Sequence, residues 1–208
     1  MITSIDALKK VIIAKAEMTS RVIVSIAGPP GSGKSTLSKT LCEELNKFVE
    51  SNPAVEMPMD GYHLDNSILK VRGLLKRKGS PPTFDVAGLI QDLGRIRAGD
   101  SDVIIPIFDR ESDRSIAGAR VVEKRHRIIL IEGNYLLLKD SLWRGLKEFY
   151  DLSIFLDVPL DTLKNRLINR WIGHGFSPDE AEKKALFNDI PNAQLIILNS
   201  EPADYIFR

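Results

Sequence analysis

The chain has 208 residues, 29 Lys and Arg against 28 Asp and Glu, a net charge of +1, and 43% hydrophobic residues. That size fits one domain with one sizeable core, and the charge balance supplies no global field for nucleic acid or an anionic membrane. A single cysteine, Cys42, excludes a disulfide framework or a zinc cluster, the three histidines are scattered, and no apolar run approaches the roughly 20 residues of a membrane span. The expectation is a cytoplasmic protein without membrane insertion, whose N-terminal residues lack a signal-peptide core.

Thr3 to Met18 reads as a helix, with Thr3 and Asp6 as a capping box and Ile5, Leu8, Ile12 and Ile13 on one apolar face. Val22 to Ala27 is a β-branched strand. It runs into Gly28-Pro29-Pro30-Gly31-Ser32-Gly33-Lys34-Ser35-Thr36, and a helical pattern of Leu37, Leu41, Leu45 and Phe48 follows. Strand, Gly-rich loop and helix in that order are the context of a phosphate-binding P-loop. The glycines let backbone N–H groups curl inward onto phosphate oxygens, and the helix start adds the positive end of its dipole. Lys34 places a charge on the outer phosphates, and the Ser35 hydroxyl is positioned for Mg²⁺. Cys42 falls on this helix, where packing is the expected role.

Val55 to Met59 is a short strand ending in Asp60-Gly61. A carboxylate there lies on the edge where open parallel sheets bind ligands. Leu64 to Val71 reads as helical. The basic stretch of Lys70, Arg72, Lys76, Arg77 and Lys78 lacks interleaved aromatics, so a solvated loop, or one or two cations aimed at an anionic substrate, is expected rather than nucleic-acid binding. Asp85 caps a helix that stops at Gly99. Val103 to Phe108 is extended, with Pro106 marking an edge, and Arg120 to Glu123 is a short strand beyond a polar loop. Residues 60–125 thus form an excursion between two core strands, as expected of a substrate-specificity insert.

Arg127 to Ile131 is the strongest buried strand and ends in Glu132, the position of an acid that serves Mg²⁺. Tyr135 to Phe149 reads as a helix. Leu152 to Leu156 is another buried strand, and the Asp157 that ends it competes with Glu132 for the metal role. Leu160 to Trp171 is helical, with Arg166 and Arg170 on one face without acids beside them. With the glycines that follow, residues 160–176 read as a lid that lowers arginines onto a transferring phosphoryl group. Ser177-Pro178-Asp179-Glu180 is a strong helix start, and Ala193 to Leu198 reads as a final strand. Alternating strands and helices predict an α/β P-loop NTPase: one domain, a mainly parallel sheet, helices on both faces, a small insert and a helical lid.

From about Arg21 onward the chain resembles the uridine kinase, phosphoribulokinase and bacterial pantothenate kinase group. The motifs are Met59-Asp60-Gly61-Tyr62-His63, Arg77-Lys78-Gly79 with Phe84-Asp85, Ile105-Pro106-Ile107-Phe108-Asp109 and Ile131-Glu132-Gly133. Within the group it looks most like the fructose transport system kinases. The resemblance implies phosphoryl transfer from ATP, with Mg²⁺, to a hydroxyl of a small-molecule acceptor, and is compatible with a homodimer. It implies nucleotide contacts from Gly28 through Thr36, Asn188 and Asn192 near the adenine, Asp60 as base, Glu132 for the metal, and Arg166 and Arg170 in the lid. Acceptor contacts would come from Asp60, Tyr62, His63, Lys78, Phe108 and Asp113. Phe108 and Asp113 stand where uridine kinases carry an aromatic hydroxyl and a histidine. A pocket missing a needed hydrogen-bond partner rejects its substrate strongly, so uridine is not the expected acceptor. The rival class is a nucleotide-dependent switch with slow hydrolysis; the absence of a guanine-reading Asn-Lys-x-Asp and the paired acids Asp60 and Glu132 count against it.

Overall fold

The computed structural model describes residues 1–47 and 53–208. Phe48, expected on the first core helix, lies outside the described residues.

The chain opens with α1 (Ile5–Glu17), β1 (Val22–Ala27) and α2 (Lys34–Asn46), then β2 (Ala54–Pro58). Ser4 caps α1 by accepting from the Ala7 amide at 3.2 Å, in place of the expected Thr3–Asp6 box. The insert contains α3 (Asn66–Val71), α4 (Val86–Ala98) and an antiparallel hairpin of β3 (Val103–Asp109) and β4 (Arg114–Val122). The second half runs β5 (Ile128–Gly133), α5 (Ser141–Arg144), β6 (Leu152–Leu156), α6 (Leu160–Gly173), α7 (Pro178–Lys184), α8 (Ile190–Asn199) and β7 (Tyr205–Phe207).

Five strands form a parallel sheet in the order β2-β5-β1-β6-β7. Every residue of β1 is buried, because both faces are covered. Ile23 faces a core shared with α4 and the 134–149 segment, while Val22, Val24 and Ile26 face a second core with α1 and α2. That burial on both sides fixes the strand's position, and with it the P-loop that leaves its C-terminal end.

Several sequence expectations differ from the structure. Residues 193–198 lie in a helix, α8, not in a strand. Pro191 stands in the first turn of α8; Ala193 and Ile196 are buried, while Leu198 is exposed. Residues 135–149 are not one helix. Tyr135 to Leu138 form a buried turn, and Asp140 starts the short α5 by capping Leu142. The second hairpin strand is longer than expected, starting at Arg114 and not Arg120. Pro106 occupies a register shift between Ile105 and Ile107, where its missing N–H removes no ladder bond. Asp85 and Ser177 cap their helices as expected, Ser177 through a full capping box with Glu180.

Candidate active site

The P-loop joins β1 to α2. Gly33, at φ 96°, forms the N-cap of α2, a backbone conformation that suits glycine and leaves the first-turn N–H groups open to a ligand. The Ser32 hydroxyl is buried and has no hydrogen-bond partner among the described residues, an orphan that a phosphate oxygen would satisfy. Lys34 is buried and donates to the Pro29 carbonyl at 3.0 Å. Burial lowers its pKa to about 8, although the carboxylates of Glu132 and Asp60 act the other way. Ser35 is exposed, and its hydroxyl donates to Glu132 Oε1 at 3.1 Å. Glu132 is buried, and burial, followed by the charge of Asp60, raises its pKa.

Two glycines bring Asp60 and Glu132 together. A Cβ on Gly133 would lie 2.5 Å from Met59 Cβ, and one on Gly61 would lie 2.3 Å from the Pro106 carbonyl oxygen. The turn carrying Asp60 is therefore pressed against the end of β5 on one side and the β3–β4 hairpin on the other. Any side chain at either glycine would force these backbones apart. The acid-glycine pairs visible in the sequence are thus packing devices that aim each acid into one cleft.

Two cavities meet at Asp60. One, about 380 Å³, is lined by Lys34, Ser35, Thr36 and Glu132. The other, about 410 Å³, is lined by His63, Lys78, Phe108, Asp113, Asn188 and Asn192. Pro30, Asp60, Arg110, Asn134 and Arg170 line both. A third cavity, about 980 Å³, flanks the outer side of the P-loop between Gly31, Thr36, Thr40, Asp157 and Arg166.

The second cavity has an aromatic and a polar wall. The His63 ring lies between Phe84 and Phe108, with centroids 4.1 and 4.5 Å away. Burial lowers its pKa. Lys78 donates to Asn66 Oδ1 at 2.8 Å and to the Asp113 carbonyl at 2.6 Å, and its ammonium is 3.0 Å from Asp113 Oδ2. All three of its N–H groups are thereby engaged. Asp113 holds a left-handed backbone, φ 52°, within this cluster.

Five sequence-selected residues are placed differently from expectation. Tyr62 is buried and donates to Asp92 on α4 at 2.8 Å, so it belongs to the core under the site and not to the acceptor wall. Asn188 and Asn192 reach across to the insert, donating to the Lys78 carbonyl at 2.8 Å and the Gly79 carbonyl at 3.5 Å. That puts them on the cavity with Phe108, opposite the outer side of the P-loop, because the turn at 185–189 and α8 fold over the insert. Arg166 and Arg170 diverge. Arg166 donates to the Gly31 carbonyl at 3.2 Å and faces the outer cavity, whereas Arg170 faces the two inner cavities. Arg170 also has an acid: Asp189 at 3.3 Å. Asp189 accepts from Trp171 Nε1 at 2.7 Å, and burial raises its pKa. Its partner comes from a different helix, which the spacing within α6 could not reveal. Asp157 pairs with Arg208 on the outer cavity, while Glu132 is the acid beside Ser35.

Arg110, Asn134 and Asp189 also line the site, and none of them belongs to a recognised motif of the sequence. Arg110 follows the last residue of β3 and pairs with Asp60 at 2.9 Å; Asn134 follows the last residue of β5. Asn134 was legible as the residue after the strand that ends in Glu132-Gly133, whereas Arg110 stands two residues past the expected strand end at Phe108 and carries no such signal.

Comparison with known proteins fits this geometry. The family model described as an AAA domain matches residues 24–175. The chain belongs to that P-loop family. It is 38% identical over 187 residues to the uncharacterized protein YggC of Escherichia coli K12, covering 89% of this chain and 77% of YggC. It is 30% identical to a “putative uridine kinase” of Schizosaccharomyces pombe, covering all of this chain and 91% of that protein. The solved structure of a “putative fructose transport system kinase” from Silicibacter sp. TM1040 matches with a TM-score of 0.90 and 41% identity across the full length of both chains. Pantothenate kinases also match, and the chain spans about half their length. This AAA-domain protein is therefore placed among P-loop small-molecule kinases. No helix of the described residues is long and apolar enough to cross a membrane.

Proposed function

We propose that this protein transfers the γ-phosphoryl group of ATP to a hydroxyl of a small polar metabolite. The observation that carries the reading is the position of Asp60, on the wall common to a P-loop cavity and a separate aromatic-and-polar cavity. A nucleotide-dependent switch needs the first cavity but not the second.

In this reading the outer cavity takes the base and ribose, and the P-loop amides and Lys34 hold the β- and γ-phosphates. Ser35 and Glu132 form an oxygen donor pair of the kind Mg²⁺ takes, and they would hold it there. Bound Mg²⁺ supplies charge neutralisation on the phosphate oxygens. The acceptor lies in the second cavity, its hydroxyl against Asp60. The hydroxyl oxygen forms the new bond to Pγ as the bridging Pγ–O bond breaks and ADP leaves with the electron pair. The hydroxyl proton passes to Asp60. Arg170 faces both cavities and covers the transferring group, and α6 with the segment after it acts as the lid. Phe108 and His63 offer an apolar wall, and Asp113 a carboxylate, to a polyol acceptor. A sugar is favoured among sugars, nucleosides and pantothenate-like acids, in keeping with the solved structure named as a “putative fructose transport system kinase”.

The test is an acceptor screen that follows ADP release with sugars, nucleosides, pantothenate-like acids and vitamins. An acceptor-dependent rate that Asp60→Asn removes is expected. Nucleotide binding without turnover on any acceptor, but with release of a partner protein, would favour the switch.

A further inference from the structure

The Asp60 carboxylate has one side-chain partner among the described residues, and that partner is Arg110: Nη2 donates to Oδ2 at 2.9 Å. Arg110 lies just past β3, in the hairpin tip. The tip is firmly built. The Asp109 carboxylate accepts from the Glu111 amide at 3.2 Å and the Ser112 amide at 3.3 Å. Ser115 donates to the His63 carbonyl at 2.9 Å, and Lys78 anchors Asp113. Gly61, packed on Pro106, joins the hairpin to the turn that carries Asp60. The backbones of Arg110 and Asp60 are therefore fixed relative to each other. The Arg110 side chain is 64% exposed, and among the described residues its guanidinium is bonded only to Asp60. Its charge also reaches Lys34 and Glu132 across the cleft.

We propose that Arg110 is a positioning residue that decides between the acceptor hydroxyl and water. The proposal rests on the reading of Asp60 as the base. With no acceptor bound, Arg110 holds the Oδ2 lobe of Asp60 toward the hairpin, which ties the carboxylate down and makes it a poor base for water. An acceptor offers Arg110 oxygen atoms of its own. The guanidinium has further N–H groups in a fixed fork, so it can bond an acceptor oxygen while the neighbouring hydroxyl takes the freed lobe of Asp60. The complementary ligand is a polyol with adjacent oxygens, one donating to the carboxylate and one accepting from the guanidinium. Water offers no such pair in a fixed geometry. Without Arg110, Asp60 is free to take a proton from water. The water oxygen then bonds to Pγ, the bridging Pγ–O bond breaks, ADP leaves with the electron pair, and the proton passes through Asp60 to solvent.

The test needs no acceptor. Mg-ATP hydrolysis is measured for the full chain as wild type, Arg110→Ala, Arg110→Lys, Asp60→Asn and the Arg110→Ala/Asp60→Asn pair. Binding of a fluorescent ADP analogue and the melting temperature are followed in parallel. Arg110→Ala is expected to raise hydrolysis roughly tenfold, a modest share of what a general base contributes, with nucleotide affinity unchanged. The double variant should lose that rise, and Arg110→Lys, which keeps a donor near Asp60, should restore a low rate. Hydrolysis by Arg110→Ala at or below the wild-type rate would overturn the proposal. So would a rise that persists without Asp60, or lost nucleotide affinity, which would assign Arg110 to the phosphates. The reading of Asp60 fails separately, in the acceptor screen, if Asp60→Asn preserves acceptor-dependent transfer.

Discussion

The two sides of the cleft are built by different means. The nucleotide side rests on the sheet: β1 delivers the P-loop, β5 delivers Glu132, and both strands are buried along their whole length. The acceptor side rests on excursions from the sheet. The insert, the hairpin tip and the 185–192 segment meet there through side-chain to backbone bonds such as Asn188 to Lys78 and Tyr135 to Gly79, at 2.8 and 2.6 Å. On the proposed function, a frame of buried strands holds the phosphates, while loops outside the sheet shape the acceptor cavity. This division allows one scaffold to serve many acceptors.

Asp60 and Glu132 are expected to separate the two sides of the cleft most strongly. Asp60→Asn should leave Mg-ATP affinity nearly intact and lower turnover by about 10²–10⁴-fold, the usual range for a general base. Glu132→Gln should instead raise the Mg²⁺ concentration needed for half-maximal activity. Titrations of Mg²⁺ for both variants decide the matter. If Asp60→Asn cripples the Mg²⁺ response and Glu132→Gln spares it, the two roles are exchanged.

The nucleotide side was the legible one. Its signals are local: glycines at fixed spacing, a β-branched run before them, and the acid Glu132 closing the apolar run of β5. The second cavity was legible in residue types that line it, Asp60, Phe108 and Asp113, but not in its connections. Apolar runs such as 193–198 fit strand and helix equally well when short, and the helix that forms there carries Asn192 to the acceptor wall. The Asp189–Arg170 and Arg110–Asp60 pairs join residues 19 and 50 positions apart. No periodicity within one element reports such a contact, because it is made by packing between elements.

Arg170 and Asn188 give the next two tests, in falling order of effect. Removing a preorganised charge that meets the transferring group typically costs about 10²–10³-fold in turnover, so Arg170→Ala should lower kcat by that order. Asp189→Asn, which frees Arg170 from its ion pair, should have a smaller effect than Arg170→Ala. An Arg170→Ala enzyme with normal kcat would return Arg170 to a structural role with Asp189 and Trp171. Asn188→Ala removes a bond of about 1 kcal/mol to the Lys78 carbonyl. It should raise the acceptor KM several-fold and leave the ATP KM in place. An effect confined to ATP would restore Asn188 to the adenine side.

The smallest effect is expected at Arg166, and it tests whether the two α6 arginines serve different sides. Arg166 donates to the Gly31 carbonyl at 3.2 Å and lies against the Ser32 carbonyl at 3.5 Å, from the solvent side of the P-loop. It carries its charge on the cavity with Thr36, Thr40 and Asp157, where the base and ribose are proposed to bind. Hydrogen bonds of this exposed kind contribute about 0.5–1.5 kcal/mol, so Arg166→Ala should weaken nucleotide binding by a factor of about 2–10. The acceptor KM and the rate of the chemical step at saturating ATP should hold. Single-turnover measurements at saturating nucleotide separate the two contributions. If Arg166→Ala slows the saturated step as much as Arg170→Ala does, both arginines reach the transferring group in the closed enzyme. The division between the outer and inner faces of α6 would then hold only for the open one.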